Sequence, residues 1–164
     1  MNDKKYPKRK HPRLKDNDYR YGYYFVTICV KDKKRLLSRV IVGRDAHIPP
    51  QIKLSSYGKI VEENILKINE KYENAKIENY IIMPNHIHFI VALESERDGG
   101  MWASRPTSLI TIVKTLKTLV TKKIGISIWQ SSFYEEGIRS QKHYENAWNY
   151  IEYNALKEYA KETE

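Results

Sequence analysis

The sequence has a single cysteine, and it has no apolar run that approaches the length of a membrane-spanning helix. One thiol cannot form an internal disulfide framework and favours a reducing compartment, so we expect a cytoplasmic protein with no membrane partner. Cys29 itself lies in an apolar run and is expected to be a small core residue. Residues 1–15 are basic and have no apolar centre, so we expect no secretory signal there.

The length and composition are typical of one soluble globular domain. The chain has 164 residues, of which 41% are hydrophobic and 30% are charged. We expect a basic arm at 1–18 followed by a single domain at 19–164. The net charge of +9 favours a polyanionic partner. Aromatic rings beside basic groups suit stacking on unpaired bases and pairing with phosphates of a nucleic acid. Most of the thirteen tyrosines are nevertheless expected to pack at the edge of the core.

The order of predicted elements indicates the fold class. Apolar periodicity and turn residues predict strands at 23–31, 36–42, 51–54, 76–83, 86–93 and 128–136, and helices at 56–72, 109–124 and 140–161. The two short strands at 36–42 and 51–54 form an excursion after the first strand. The remaining order is strand, helix, strand, strand, helix, strand and a final helix. This pattern predicts an α+β, ferredoxin-like (split βαβ) antiparallel sheet with helices on one face plus a C-terminal helix.

Two histidines lie two residues apart in the run Pro84-Asn85-His86-Ile87-His88. Successive strand side chains point to opposite faces, so His86 and His88 share one face while Ile87 points to the other. Two imidazoles on one face can hold one divalent ion and leave room for a third ligand and substrate. The alternative is that both rings are hydrogen-bonded packing residues, which is the usual role of a single strand histidine.

The last predicted helix places a phenol beside an amide. At about 100° per residue, its apolar stripe consists of Tyr144, Trp148, Ile151 and Ala155. Tyr150 and Asn154 share one shoulder of that stripe, one turn apart. Tyr153 points further out and is expected to be exposed. The plainer interpretation of Tyr150 is a boundary tyrosine that packs its ring.

Both motifs resemble those of a known family. The run from Pro84 to His88 resembles the histidine-hydrophobic-histidine (HUH) motif of single-tyrosine transposases. Three later segments resemble the C-terminal signature of the same family. These segments are Ile128 to Tyr134, Ile138-Arg139, and Tyr150 to Asn154. The match is best to the REP-associated tyrosine transposases, which are related to insertion-sequence transposases, and it extends over about 13–154. The segment 44–50 also resembles bacterial members.

The resemblance implies a site and a reaction. It implies that His86 and His88 are metal ligands, that Asn154 is a third ligand, that Tyr150 is the nucleophile, and that the ion is Mg²⁺ or Mn²⁺. The implied activity is a DNA transposase and endonuclease that cuts and rejoins single-stranded, hairpin-bearing DNA through a 5′-phosphotyrosine intermediate. From the distribution of positive charge, we expect DNA contacts from the basic side chains Lys8, Arg9, Lys10, Arg13, Lys114, Lys117 and Arg139. The alternative for the helix lysines is a solvated face.

This sequence departs from the family pattern at two places. Family members commonly have proline after the asparagine, where this chain has Ala155, and the loss of proline is expected to lengthen the helix. They often have Asp or Glu and then His before the Ile-Arg pair, where this chain has Glu135-Glu136-Gly137. Two other functions therefore remain open: a catalytically silent nucleic-acid-binding protein on the same fold, and a nickase of the replication-initiator or relaxase type. The protein is expected to be a monomer or a homodimer.

Overall fold

The structure is a computed structural model that describes residues 21–42, 48–94 and 107–162. The predicted basic arm at 1–18, with Lys8, Arg9, Lys10 and Arg13, lies outside the described residues. Within them, no helix combines the length and the apolar character that crossing a membrane requires.

Four strands form one antiparallel sheet. They are β1 (Gly22–Cys29), β4 (Ala75–Ile82), β5 (His86–Leu93) and β6 (Tyr134–Ile138), in the order β4-β5-β1-β6. A separate antiparallel pair, β2 (Ser38–Ile41) and β3 (Gln51–Leu54), forms the predicted excursion after β1. Two helices, α1 (Ser56–Lys71) and α2 (Leu109–Ile124), connect the strands as in a split βαβ fold. The ferredoxin-like prediction is confirmed.

The two faces of the sheet carry different layers. On one face, side chains of β1 and β5 such as Val26, Ile28 and Phe89 are fully buried in the core under α1 and α2. The opposite face holds a smaller cluster around Ile90, covered by α3 (Gln141–Glu152). Because strand side chains alternate, His86 and His88 lie on this second face, beneath the layer that carries α3.

A serine caps the N-terminus of each of the helices α1, α2 and α3. Ser55 Oγ accepts from the Gly58 amide at 3.1 Å, and Ser108 and Ser140 cap α2 and α3 in the same way. Gly58 is also a point of close approach, because a Cβ there would run into the Leu37 carbonyl oxygen. Glycine at this position therefore lets α1 pack against the start of the β2–β3 excursion.

Three local predictions were wrong. The last strand was predicted at 128–136 but begins at Tyr134. The backbone carbonyls of residues 130–132 turn toward the Lys117 ammonium, and Trp129 makes only an isolated bridge with Val30. The last helix is broken at Tyr153 (φ −100°, ψ 7°), after which α4 (Asn154–Glu162) begins, so the absence of proline does not give a continuous helix. Cys29 is half-buried on the second face of the sheet and is no core residue.

Candidate metal centre and nucleophile

The histidine pair lies at the start of β5, directly after a tight turn. The turn is tied to its surroundings by backbone hydrogen bonds, because the Asn85 carbonyl accepts from the Val30 amide at 2.9 Å and the Pro84 carbonyl accepts from the Leu37 amide at 3.0 Å. His88 is only 6% exposed, and Ile87 is fully buried on the other face. The predicted shared orientation of the two imidazoles is therefore present in the fold.

The Nδ1 atom of each ring is held by an oxygen. His86 Nδ1 lies 2.6 Å from Asn85 Oδ1, and His88 Nδ1 lies 2.8 Å from Thr27 Oγ1 on the neighbouring strand. The amide oxygen of Asn85 can only accept, so His86 carries its proton on Nδ1 and presents a lone pair at Nε2. The Thr27 hydroxyl can donate or accept, so it can hold His88 in either neutral form.

The two Nε2 atoms converge at 3.0 Å. Metal–nitrogen bonds to histidine are about 2.1 Å long, and two such ligands at a right angle around one ion are about 3.0 Å apart. With Thr27 accepting from Nδ1 of His88, both Nε2 lone pairs point into the same space, as two ligands of one cation do. The donor set therefore fits a divalent ion in six-coordinate geometry.

Burial keeps His88 in the form that a ligand needs. Desolvation, with a smaller contribution from neighbouring His86, lowers the pKa of His88 from 6.5 to about 3. The ring is neutral at physiological pH, so no proton competes with a metal ion for its lone pair.

The Tyr150 ring packs directly against this pair. Its centroid lies 5.3 Å from that of His88 at an interplanar angle of 74°, and 5.7 Å from that of Phe25 at 82°. The Lys157 ammonium lies 4.6 Å from the centroid of the Tyr150 ring. Tyr150 is 38% exposed, so a strand of DNA can approach it. The fold thus brings a phenol, two imidazoles and an ammonium together at one edge of α3.

A second tyrosine on α3 has a different environment. Tyr144 donates its hydroxyl to Glu78 Oε2 at 2.7 Å, and burial together with this bond raises the pKa of Tyr144 to about 12. The Tyr144 ring packs against Tyr23 and Trp148, whereas the Tyr150 ring packs against His88. Among the tyrosines of α3, the exposed ring of Tyr150 is therefore the one arranged for attack.

Asn154 is 5% exposed and is the first residue of α4. The helix break at Tyr153 separates it from Tyr150, so the predicted one-turn spacing along a continuous helix does not describe their relation. In the described ranges 21–42, 48–94 and 107–162, no three His, Cys, Asp or Glu side chains are grouped to hold a metal ion. Among the described residues, a third ligand would be of another type, such as an amide, and the role of Asn154 stays a prediction.

The predicted DNA-contact residues within the described part of the chain lie in two places. Lys114 and Lys117 are on α2, which covers the face opposite the histidines, and the Lys117 ammonium already donates to the carbonyls of Gln130 (2.8 Å) and Ser132 (2.9 Å). Arg139 is exposed at the end of β6 and lines a cavity of about 380 Å³ beside Tyr23 and Tyr144. Their DNA contacts stay predictions.

A basic cleft is a further candidate that the predicted site residues do not include. It has a volume of about 840 Å³ and is lined on one side by Lys31 and Lys33 and on the other by Ser127, Trp129, Gln130, Ser131 and Ser132. It begins two residues beyond Cys29, the cross-strand partner of His86. Asp32 and Lys33 have φ of 56° and 52°, a left-handed conformation that is strained in residues other than glycine and clusters at functional sites.

The comparisons with known proteins agree with this architecture. No protein-family model matches the sequence. An uncharacterised protein of Haemophilus influenzae is 31% identical over an alignment of 166 positions, which covers 90% of this chain and 88% of that protein. The chain belongs to the same family as this protein.

A solved structure gives the fold. The structure of a REP-associated tyrosine transposase bound to a REP hairpin superposes with a TM-score of 0.64 at 21% identity, over 89% of this chain and 74% of that chain. The two proteins share a fold, which confirms the resemblance indicated by the two motifs. At this identity the likeness establishes the fold, and the chemistry rests on the residues of the site.

Proposed function

We propose that the protein is a transposase of the REP-associated type that cuts and rejoins single-stranded, hairpin-bearing DNA through a covalent link at Tyr150. The observation that carries this proposal is the packing of the Tyr150 ring 5.3 Å from His88, whose Nε2 lies 3.0 Å from that of His86. A nucleophile and two ligands of a hard cation are together at an edge that DNA can reach. The structural likeness to a hairpin-bound transposase supports the same activity.

In the proposed reaction, the Tyr150 oxygen attacks the phosphorus of a phosphodiester. A bond forms between that oxygen and phosphorus, the bond to the 3′ oxygen breaks, and the products are a 5′-phosphotyrosine link and a free 3′-OH. A 3′-OH can reverse the step because the phenolate is a good leaving group, so strands can be rejoined without ATP. A Mg²⁺ or Mn²⁺ ion held by His86 and His88 would polarise a non-bridging oxygen of the phosphate.

The chain's own residues supply the rest of the arrangement. Asn85 and Thr27 fix the orientation of the imidazoles, and hydrogen-bonding partners of this kind strongly influence metal affinity. Phe25 and Lys157 flank the ring of the nucleophile. We propose the amide oxygen of Asn154 as a third ligand, since carbonyl oxygens suit hard cations.

Formation of a covalent adduct tests the proposal. Purified protein is incubated with 5′- or 3′-labelled hairpin strands and Mn²⁺, and a DNA-linked protein band is sought. Tyr150→Phe removes only the nucleophilic oxygen and should abolish the adduct, whereas Tyr153→Phe, three residues away and 56% exposed, should leave it unchanged. Equal adduct yield from wild type and Tyr150→Phe would rule out the proposed nucleophile.

Two further outcomes separate the other functions. His86→Ala should abolish metal-dependent cleavage and spare salt-sensitive binding to the hairpin strand. Tight DNA binding by the wild-type protein with no adduct over a panel of strands and metals would support the catalytically silent binder. Mapping the cleaved strand and looking for repeats that flank it would separate a nickase of the replication-initiator or relaxase type from a transposase.

A further inference from the structure

The Tyr150 ring lines a second cavity on the side of α3 that faces β6. This cavity has a volume of about 320 Å³, and its walls are Phe25, Glu136, His143, Asn146, Ala147 and Tyr150. Among these residues the titratable groups are Glu136 from β6 and His143 and Tyr150 from α3, while β1 contributes only the Phe25 ring. A carboxylate, an imidazole and the proposed nucleophile therefore share one small space.

The carboxylate holds the imidazole in one orientation. His143 Nε2 lies 3.3 Å from Glu136 Oε1. A neutral imidazole carries one N–H, and a carboxylate beside Nε2 favours the proton there, which leaves Nδ1 as an acceptor. The pair has the arrangement in which an orienting carboxylate prepares a histidine to take a proton.

The helix points the phenol toward this histidine. His143 and Tyr150 are seven residues apart, so at about 100° per residue their directions differ by roughly 20° and they lie on the same side of α3. Their Cα atoms are about 10.5 Å apart along the axis, and long helical side chains lean toward the N-terminus. Both side chains line the same cavity of about 320 Å³, which is large enough to hold a bridging water between them.

We infer that His143 is the general base that accepts the proton of the Tyr150 hydroxyl, and that Glu136 is a positioning residue that orients His143. This inference rests on the proposed function. The phenol proton passes to Nδ1 of His143, the phenol oxygen bonds to phosphorus, and the 3′ oxygen leaves with the electron pair of the broken P–O bond. In-line attack places that oxygen on the far side of phosphorus, where it takes a proton from water. The imidazolium releases its proton to solvent, or returns it when a 3′-OH reverses the step.

The position of Glu136 gives a strong relocation test. Its side chain lines from β6 the same cavity that His143 reaches from α3. The double variant His143→Gln with Glu136→His moves the imidazole to β6 with little change in composition. The His143→Gln change leaves the helix cap intact, because the bond to Ser140 Oγ is made by the backbone amide of residue 143.

The experiment measures single-turnover adduct formation on a hairpin strand with Mn²⁺, as a function of pH. His143→Gln should lower the rate at neutral pH by about 10²- to 10⁴-fold and leave it rising steadily with pH, since hydroxide then takes the proton. Glu136→Gln should give a smaller loss, and the relocated variant should recover a large part of the rate. Hairpin affinity and Mn²⁺ affinity should stay at the wild-type values in all three.

A modified substrate separates the two ends of the reaction. A strand with sulfur in place of the bridging 3′ oxygen has a leaving group that needs no proton, so the loss in His143→Gln should persist if His143 acts on the nucleophile. A wild-type rate and pH profile in His143→Gln, or a loss that vanishes with the sulfur substrate, would overturn the inference while leaving the proposed function intact. If the wild-type protein forms no adduct at all, both fail.

Discussion

The hydroxyl of Thr27 provides a sensitive probe of the candidate metal centre. It lies 2.8 Å from Nδ1 of His88, on the strand next to β5. Thr27→Val replaces this hydroxyl by a methyl group of similar shape. The variant therefore removes one hydrogen-bond partner of a ligand and leaves both ligands in place.

The expected size of the effect follows from burial. His88 is 6% exposed, so water cannot replace the lost partner, and an unsatisfied buried N–H costs about 1–3 kcal/mol. Loss of the partner that orients a metal-bound histidine lowers metal affinity by about 10- to 100-fold. At about 1.4 kcal/mol per tenfold change, the expected loss in metal-binding free energy is roughly 1.4–2.8 kcal/mol.

Isothermal titration with Mn²⁺ measures this effect, and urea unfolding of the metal-free protein measures the stability change. Thr27→Ser is the matched control, because it keeps the oxygen and should retain most of the affinity. If Thr27→Val binds Mn²⁺ as tightly as wild type does, the reasoning that Thr27 orients His88 as a ligand is refuted.

Three further predictions concern stability and DNA binding. The pKa of His88 in the folded protein is lowered to about 3, so below pH 6.5 the unfolded chain binds a proton that the folded chain excludes. The free energy of unfolding in EDTA should therefore fall by about 1.4 kcal/mol per pH unit below 6.5. Urea titrations should show that this component is missing in His88→Gln, and an unchanged pH slope in that variant would contradict the prediction. Replacing Lys31 and Lys33, which line the basic cleft, by Gln should reduce the slope of log affinity against log salt for single-strand binding by roughly 0.7 per lysine, as measured by fluorescence anisotropy. The same change at Lys59 and Lys67 on α1 should leave this slope unchanged. Equal slopes for both pairs would show that the cleft contacts no phosphate. Gly58→Ala should lower the free energy of unfolding by about 1–3 kcal/mol, because the Cβ of the new alanine meets the Leu37 carbonyl oxygen. A thermal melt like that of wild type would show that α1 can shift freely.

Local patterns predicted the parts of the site that lie within one element. The spacing of His86 and His88 fixed their shared face because strand side chains alternate, and the turn at Pro84 and Asn85 marked where the strand starts. The strand and helix order predicted the sheet, since the split βαβ connection determines which strands are neighbours. The position of Tyr150 beside the histidines followed from helix periodicity together with the family resemblance.

The remaining parts depend on contacts between distant segments. Thr27 is 61 residues from His88, and only the register of β1 against β5 makes them partners. Nothing in the sequence around Tyr153 indicates a helix break, because neither glycine nor proline is present there. Lys117 was expected to face phosphate, yet its ammonium satisfies carbonyls of the segment before β6 and thereby delays the start of that strand. The pairing of Glu136 with His143 likewise requires α3 to be placed on the sheet.

The central claim is that one specific phenol forms the covalent link to DNA. The most direct measurement is tandem mass spectrometry of the protease-digested adduct formed with Mn²⁺ and a hairpin strand. A nucleotide joined through a 5′-phosphate to the peptide that contains Tyr150, with fragment ions that locate it on that residue, is the predicted result. A link to Tyr144, Tyr153 or another residue, with Tyr150 unmodified, would contradict the account.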